Sequence, residues 1–272
     1  MPKPRASEVG ALLVFSVAVG VGLHQHSMWF DETQAWAIAR SSRSLTDLFH
    51  NLAYEGHPPL WHLLLFGLTR VSTDVRAMQV LTWLIATTTG ALILWRAPWT
   101  LGVRIAVCFG YFVGFEYSIL SRSYSLTVLL LVVTLVLRPA SWSWTVALAV
   151  MCFSSVIGVI LAATIVVVEL TRGGRPRAAQ WWAAAVTAAA GLLAIWSALP
   201  PGDSRSGKGF GETLASTFPA RVGLSLSAVA RALLPLPRWP VRWNSPALQM
   251  LPLTVSAVLG IVLLVGVTLA FV

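Results

Sequence analysis

Pro58-Pro59-Leu60-Trp61-His62-Leu63-Leu64-Leu65-Phe66-Gly67-Leu68-Thr69 decides how this chain folds. The stretch is apolar, yet at about a dozen residues it falls short of the roughly 20 that a helix needs to cross a bilayer. The arginines choose between two topologies. If the stretch crossed, Arg96, Arg104, Arg138, Arg172, Arg175 and Arg177 would all lie outside. If it stays at the surface, all six lie inside with Lys3 and Arg5. Basic residues gather on the cytoplasmic side of membrane proteins. The stretch is therefore expected at the surface, within a first external loop spanning residues 24–76.

The composition makes a membrane the right frame. Residues are 57% hydrophobic and 11% charged, and mean hydropathy is +0.76. Soluble domains carry about 25% charged residues. In lipid only helices and closed barrels satisfy their own backbone. Barrel strands alternate apolar and polar residues, whereas here apolar runs are continuous, as at 126–137 and 253–272. The expected fold class is all-α, a polytopic membrane protein with about eight transmembrane helices. The net charge of +9 is carried by residues lying between apolar runs. It reflects topology and lipid phosphate rather than nucleic acid. Cys108 and Cys152 fall inside apolar stretches, where thiols pack as small hydrophobes.

Outward from the first loop, Lys3 and Arg5 precede an apolar run from Val9 to Leu23 with no small-x-small cleavage pattern after it. This is read as an uncleaved first helix with a cytoplasmic N-terminus, Trp29 and Trp36 marking the outer interface. Further spans are expected at 77–95, 105–115 and 125–137. The run 142–170 is long for one helix and short for two. It is read as a hairpin broken near Ser154-Ser155 or Gly158, because Arg138 and the 172–177 arginines should share a side. A span at 178–199, an external loop at 201–248 and a last helix within 249–272 complete the chain. Its apolar end suits the front part of a longer protein.

The first loop holds a polar island. It opens with Trp29-Phe30-Asp31-Glu32-Thr33-Gln34-Ala35-Trp36 and closes with Tyr54-Glu55-Gly56-His57-Pro58-Pro59. Asp31 with Gln34, and Ser44 with Asp47, fit helix-starting capping boxes. After Ser44, Leu45, Leu48, Phe49 and Leu52 share one face, which suits an amphipathic helix lying in the interface. Pro58 and Pro59 read plainly as a turn that begins a helix. A second polar island, Glu116-Tyr117-Ser118-Ile119-Leu120-Ser121-Arg122-Ser123-Tyr124, is expected on the same side as Asp31.

Each of these residues has a plain structural role and a chemical one. Asp31 suits an N-cap, and a carboxylate so held is also aimed, as a general base must be. Glu32 in a first helical turn suits the helix dipole. Glu55 and His57 return a carboxylate and an imidazole towards Asp31. A divalent ion at Asp31 and Glu55 is one option. Adding His24, His26 and His57 would suit zinc, but the spacing matches no zinc motif. Glu116 and Arg122 could simply pair with each other at the headgroup level. Ionisable groups near hydrocarbon otherwise point to function, and the Arg122 fork fits phosphate oxygens.

The order of these elements resembles the GT-C membrane glycosyltransferases, specifically the bacterial protein O-mannosyltransferase-like branch (glycosyltransferase family 39-like). The resemblance covers about residues 9–138. It rests on Phe30-Asp31-Glu32, on Pro58-Pro59-Leu60-Trp61, and on Arg122-Ser123-Tyr124-Ser125-Leu126. It implies transfer of a sugar from a polyprenyl-phosphate donor to an acceptor hydroxyl, with inversion, on the outer face of a bacterial-type plasma membrane. By that resemblance Asp31 is the general base and Glu32 supports it. Glu55 and His57 line the donor phosphate or metal site. Arg122 and Tyr124 bind the carrier phosphate, with Glu116 nearby. The chain departs from the pattern at His57, where some relatives have Lys, and it lacks an Asp-x-Asp element. The competing class is a lipid-binding or transporter-like protein that uses the same loop without chemistry, or an inactive fragment.

Overall fold

A computed structural model describes residues 4–172, 176–199, 201, 258 and 262. The chain divides into two compact units, Met1–Pro201 and Gly202–Val272. Only the first is described below. The expected loop at 201–248 and the last helix within 249–272 lie almost wholly outside the described residues.

Every regular element among the described residues is helical. In order they are α1 (Ala6–Gln25), α2 (Phe30–Ser41), α3 (Leu45–Leu52), α4 (Leu60–Leu68), α5 (Arg76–Arg96) and α6 (Leu101–Cys108). A π-helical stretch, Tyr111–Glu116, leads into the short α7 (Tyr117–Ile119). Then come α8 (Ser123–Val136), α9 (Trp142–Cys152), α10 (Val156–Thr171) and α11 (Ala178–Ala198). Among the described residues three helices are long and apolar enough to cross a membrane, α1, α5 and α11. The bent run from α6 through α7 qualifies as a fourth if counted as one span.

Helix α5 is the hub. Against α1 and α6 it buries Phe15, Val19, Leu23, Ala86, Ile93, Leu94 and Cys108. Against α2, α4 and α8 it forms a second core with Trp36, Trp61, Leu65, Met78, Ile85 and Leu126. Thr82 and Thr89, both buried in α5, return their hydroxyls to the carbonyls four residues back. That local bond lets a threonine sit in an apolar helix interface. A third core joins α9, α10 and α11 around Trp144, Leu148 and Met151. Ala162, Ala183, Ala190 and Ala194 allow those helices to approach closely.

Two ends of the helix array differ in chemistry. At one end Arg104 on α6 holds Glu8 of α1 at 3.1 Å and the Leu94 carbonyl of α5 at 2.7 Å. At the other, Gln79 of α5 donates to the Leu23 carbonyl of α1 at 2.8 Å. α1 and α5 are therefore antiparallel, and the polar islands gather at the Leu23 end.

Helix α4 has nine residues, roughly 14 Å at 1.5 Å per residue. It is too short to span, as its length in the sequence suggested. The hairpin expected in 142–170 is present, broken at Phe153-Ser154-Ser155. Ser155 caps α10 by accepting from the Gly158 N–H at 3.0 Å. Ser154 and Ser155 both bond the Thr127 hydroxyl of α8 at 2.9 Å, so the turn is tied inside the protein.

Two expectations need correction. The run 105–115 is not one straight span. It bends by 49° between α6 and the following π-helical stretch. Gly110 and Gly114 permit this. A Cβ on Gly114 would lie 2.6 Å from the Cys108 carbonyl oxygen, so the chain folds back on itself where no side chain intrudes. Nor is Asp31 the N-cap of α2 with Gln34 completing the box. The helix begins at Phe30 with Trp29 as cap, and Glu32 is the residue reaching back. By contrast, Ser44 is the N-cap of α3 as expected, although Asp47 reaches back one residue beyond it. Ser44 accepts from the Asp47 N–H at 3.1 Å, and Asp47 accepts from the Arg43 N–H at 2.7 Å.

Candidate functional site

The site is assembled around Glu32, which is fully buried. One carboxylate oxygen accepts from the Trp29 N–H at 2.8 Å and lies 2.8 Å from His26 Nε2. The other accepts from the Ser121 N–H at 2.7 Å. A single side chain thus ties the segment after α1, the start of α2 and the segment before α8. A buried carboxylate is tolerable only when its oxygens are satisfied in this way.

The clamp has a direct consequence. Asp31 and Arg122 each sit one residue from a clamped position, and they meet. The Arg122 guanidinium donates to the Asp31 carboxylate. This replaces the expected alternative of a Glu116–Arg122 pair. Arg122 also lies over the Tyr124 ring, 5.5 Å from its centroid. The Asp31 side chain is 53% exposed, so solvent weakens the pair and an incoming anion can compete for the guanidinium.

Glu55 and His57 come from the turn between α3 and α4. Gly56 has φ +67°, which a residue with a Cβ rarely adopts, and this reverses the chain. Gln34 of α2 donates to Glu55 at 2.6 Å and fixes the carboxylate. Gln34 is thus a partner of Glu55, not of Asp31. His57 Nδ1 donates to the Glu55 carbonyl at 2.6 Å, which leaves Nε2 as its free ring atom. Pro58 and Pro59 have no N–H, so Leu60 supplies the first donor of the new helix. It bonds the Phe153 carbonyl at 3.1 Å, seating the turn on the α9–α10 hairpin.

Asp31, Glu55, His57 and Arg122 line one cavity, together with Ala35, Pro58, Trp61, His62 and Ser123. It has about 20 Å³ of free volume, enough for one water-sized group. Glu116 and Tyr124 are not on its wall. Tyr124 supports Arg122 and packs towards Tyr117, with centroids 6.1 Å apart, while Glu116 hydrogen-bonds Tyr111. Glu32 holds the site from behind rather than facing it.

His62 was not singled out by the sequence, where it reads as one polar residue on an apolar helix. It is 5% exposed and neither ring nitrogen has a partner. Burial first, then the charges of His57 and Arg122, lower its pKa to about 4. His62 is therefore neutral near pH 7. The only sequence signal for it was its helical position beside Trp61, five residues after His57.

Among the described residues no three His, Cys, Asp or Glu side chains are gathered as a metal site would require. Asp31 and Glu55 do share a cavity, but Asp31 is engaged by Arg122. A divalent ion there would compete with the guanidinium for the same carboxylate, so the donor set fits a metal poorly and no step is derived through one.

A second, apolar groove of about 400 Å³ lies between α3, α4, α9 and α11. Phe49, Leu60, Leu63, Phe153, Leu193 and Trp196 line it. On α4 the groove takes Leu60 and Leu63 while the cavity takes Trp61 and His62, so the two lie on opposite faces of that helix.

No family model, no curated protein and no solved structure matches this chain.

Proposed function

We propose that this protein is a GT-C-like membrane glycosyltransferase of about eight spans, with a cytoplasmic N-terminus and an externally facing site. It moves a sugar from a polyprenyl-phosphate donor to an acceptor hydroxyl. One observation carries the reading. Asp31, Glu55, His57 and Arg122, drawn from two loops far apart in sequence, meet in one cavity, and a separate apolar groove lies across α4 from it. A cluster of charged groups mounted on an apolar helical scaffold suits an anionic lipid-linked substrate.

The reaction follows from the groups present. The donor phosphate takes the Arg122 fork in the cavity that His57 also lines, and frees Asp31. The released carboxylate accepts the proton of the acceptor hydroxyl. The acceptor oxygen bonds to the anomeric carbon from the face opposite the carrier, and the bond from that carbon to the phosphate oxygen breaks. The electron pair leaves on the polyprenyl phosphate, whose charge Arg122 neutralises. Configuration inverts because displacement is single. Glu55, oriented by Gln34, accepts a sugar hydroxyl. Glu32 acts through the clamp as a positioning residue.

The second reading is lipid binding without chemistry. The small cavity and the engaged Asp31 favour it, because a sugar enters only if the ion pair opens. The variant Asp31→Asn in nanodiscs separates the two. An enzyme loses sugar transfer by about a hundredfold or more, in line with loss of a general base, and keeps donor binding. Unchanged transfer removes Asp31 from the mechanism.

A further inference from the structure

Three ring nitrogens at this cavity have no hydrogen-bond partner, namely His62 Nδ1, His62 Nε2 and Trp61 Nε1. Both side chains line the cavity wall and are nearly inaccessible, at 5% and 2% exposure. Buried polar atoms are ordinarily satisfied. Their helix neighbour Leu65 shows that an aliphatic side chain packs well in this core. Two adjacent rings with bare polar atoms at one small void therefore point to a missing partner.

We infer that His62 and Trp61 form a hydroxyl-recognition subsite at the floor of the cavity, which receives one hydroxyl group of the substrate. The inference rests on the glycosyl-transfer reading and names what that site recognises. A neutral imidazole offers one donor and one acceptor, and a hydroxyl offers the same in return. The indole N–H adds a second donor. A phosphate, by contrast, needs donors only, and the Arg122 guanidinium already supplies them. Burial, with the nearby His57 and Arg122, keeps His62 neutral. The void admits one water-sized group, which is the size of a hydroxyl. That hydroxyl belongs either to the donor sugar or to the acceptor, and the experiment tells them apart.

The test uses the full chain in nanodiscs with decaprenyl phosphate, bare or carrying mannose, glucose or arabinose. Affinities are read for wild type, for His62→Phe, and for Trp61→Phe, which removes the N–H along with part of the ring. His62→Gln, which keeps a donor and an acceptor, serves as rescue. Transfer to membrane acceptors is followed in parallel. If the hydroxyl is the donor's, a sugar tightens wild-type binding relative to the bare carrier. His62→Phe then erases about tenfold of that gain, leaves the bare carrier unaffected, and His62→Gln restores part. If the hydroxyl is the acceptor's, all carrier affinities stay as in wild type. Turnover then falls in His62→Phe at unchanged donor KM and recovers in His62→Gln. Should His62→Phe not fold, Trp61→Phe gives the same pattern to a smaller degree. Wild-type binding and transfer in both phenylalanine variants overturn the subsite and leave the glycosyltransferase reading standing. A wild type that binds no carrier, or binds only the bare carrier and transfers no sugar, overturns that reading and the subsite with it.

Discussion

Glu32 and Asp31 are adjacent acids with opposite situations, and their variants should separate accordingly. Glu32 is buried and holds Trp29, His26 and Ser121. Removing it in Glu32→Ala strands those donors, at a cost of about 3–5 kcal/mol for breaking a buried charge network. It also releases Arg122 from Asp31. Asp31 is half exposed, and Asp31→Asn should change stability by no more than about 1 kcal/mol. Thermal unfolding in detergent checks this: a large fall in midpoint for Glu32→Ala and a small one for Asp31→Asn. Similar midpoints would mean that Glu32 is no clamp. His62 adds a pH signature. Its pKa falls from 6.5 to about 4 on folding. Above pH 6.5 the ring is neutral in both states and contributes nothing. As pH drops below 6.5 the unfolded ring takes a proton that the folded ring refuses, so stability declines towards pH 4. The full difference is on the order of 3 kcal/mol. Unfolding midpoints measured from pH 7 to 4 should fall less steeply in His62→Phe than in wild type. Parallel curves would show that His62 is not held neutral.

The α9–α10 hairpin shows how an element far along the chain seats the site. Its turn lends the Phe153 carbonyl to Leu60, and so fixes where α4 starts. The turn depends on Gly158. A Cβ there would lie 2.2 Å from the Met151 carbonyl oxygen, a backbone atom that cannot swing aside. Gly158→Ala should cost more than the 1–3 kcal/mol typical of overpacking. A Cβ on Gly102 meets nothing within 4 Å. Gly102→Ala should be neutral or slightly stabilising, since alanine is the better helix former by up to about 1 kcal/mol. Chemical unfolding of the two variants side by side measures the contrast, and equal midpoints would place the hairpin turn elsewhere. Helix α3 makes a related point. Leu48 and Leu52 of its apolar stripe are buried, while Leu45 and Phe49 stay about half exposed. An exposed apolar edge suits a helix lying at a lipid surface.

Within the first unit, the described helices alternate between a site end and an end that carries Arg96 and Arg104. Ser44 belongs to the first and Thr100, just past α5, to the second; both are exposed. With a cytoplasmic N-terminus, Ser44→Cys should react with a membrane-impermeant maleimide on intact cells, and Thr100→Cys only after permeabilisation. Labelling of both from one side would break the topology. Much of this architecture was legible in the chain itself. Length and hydropathy marked α1, α5 and α11, and the serine pair marked the hairpin, because these depend on local periodicity and local capping. The bend after α6 was harder to read. Gly110 and Gly114 permit it, yet glycines also occur in straight membrane helices. The four residues that meet in the cavity were also legible as candidates, since charged side chains stand out against an apolar background. What the sequence by itself determined, then, is the long helices α1, α5 and α11, the break at Ser154-Ser155, and the short α4 that cannot span. Only the tertiary structure decided that Arg122 chooses Asp31, that Glu32 is a clamp, that Gln34 holds Glu55, and that His62 is left unsatisfied. These are choices between partners up to about ninety residues apart. Spacing along a helix cannot encode them, because they arise only when α2, α4 and α8 pack on α5 and exclude water from the atoms between them.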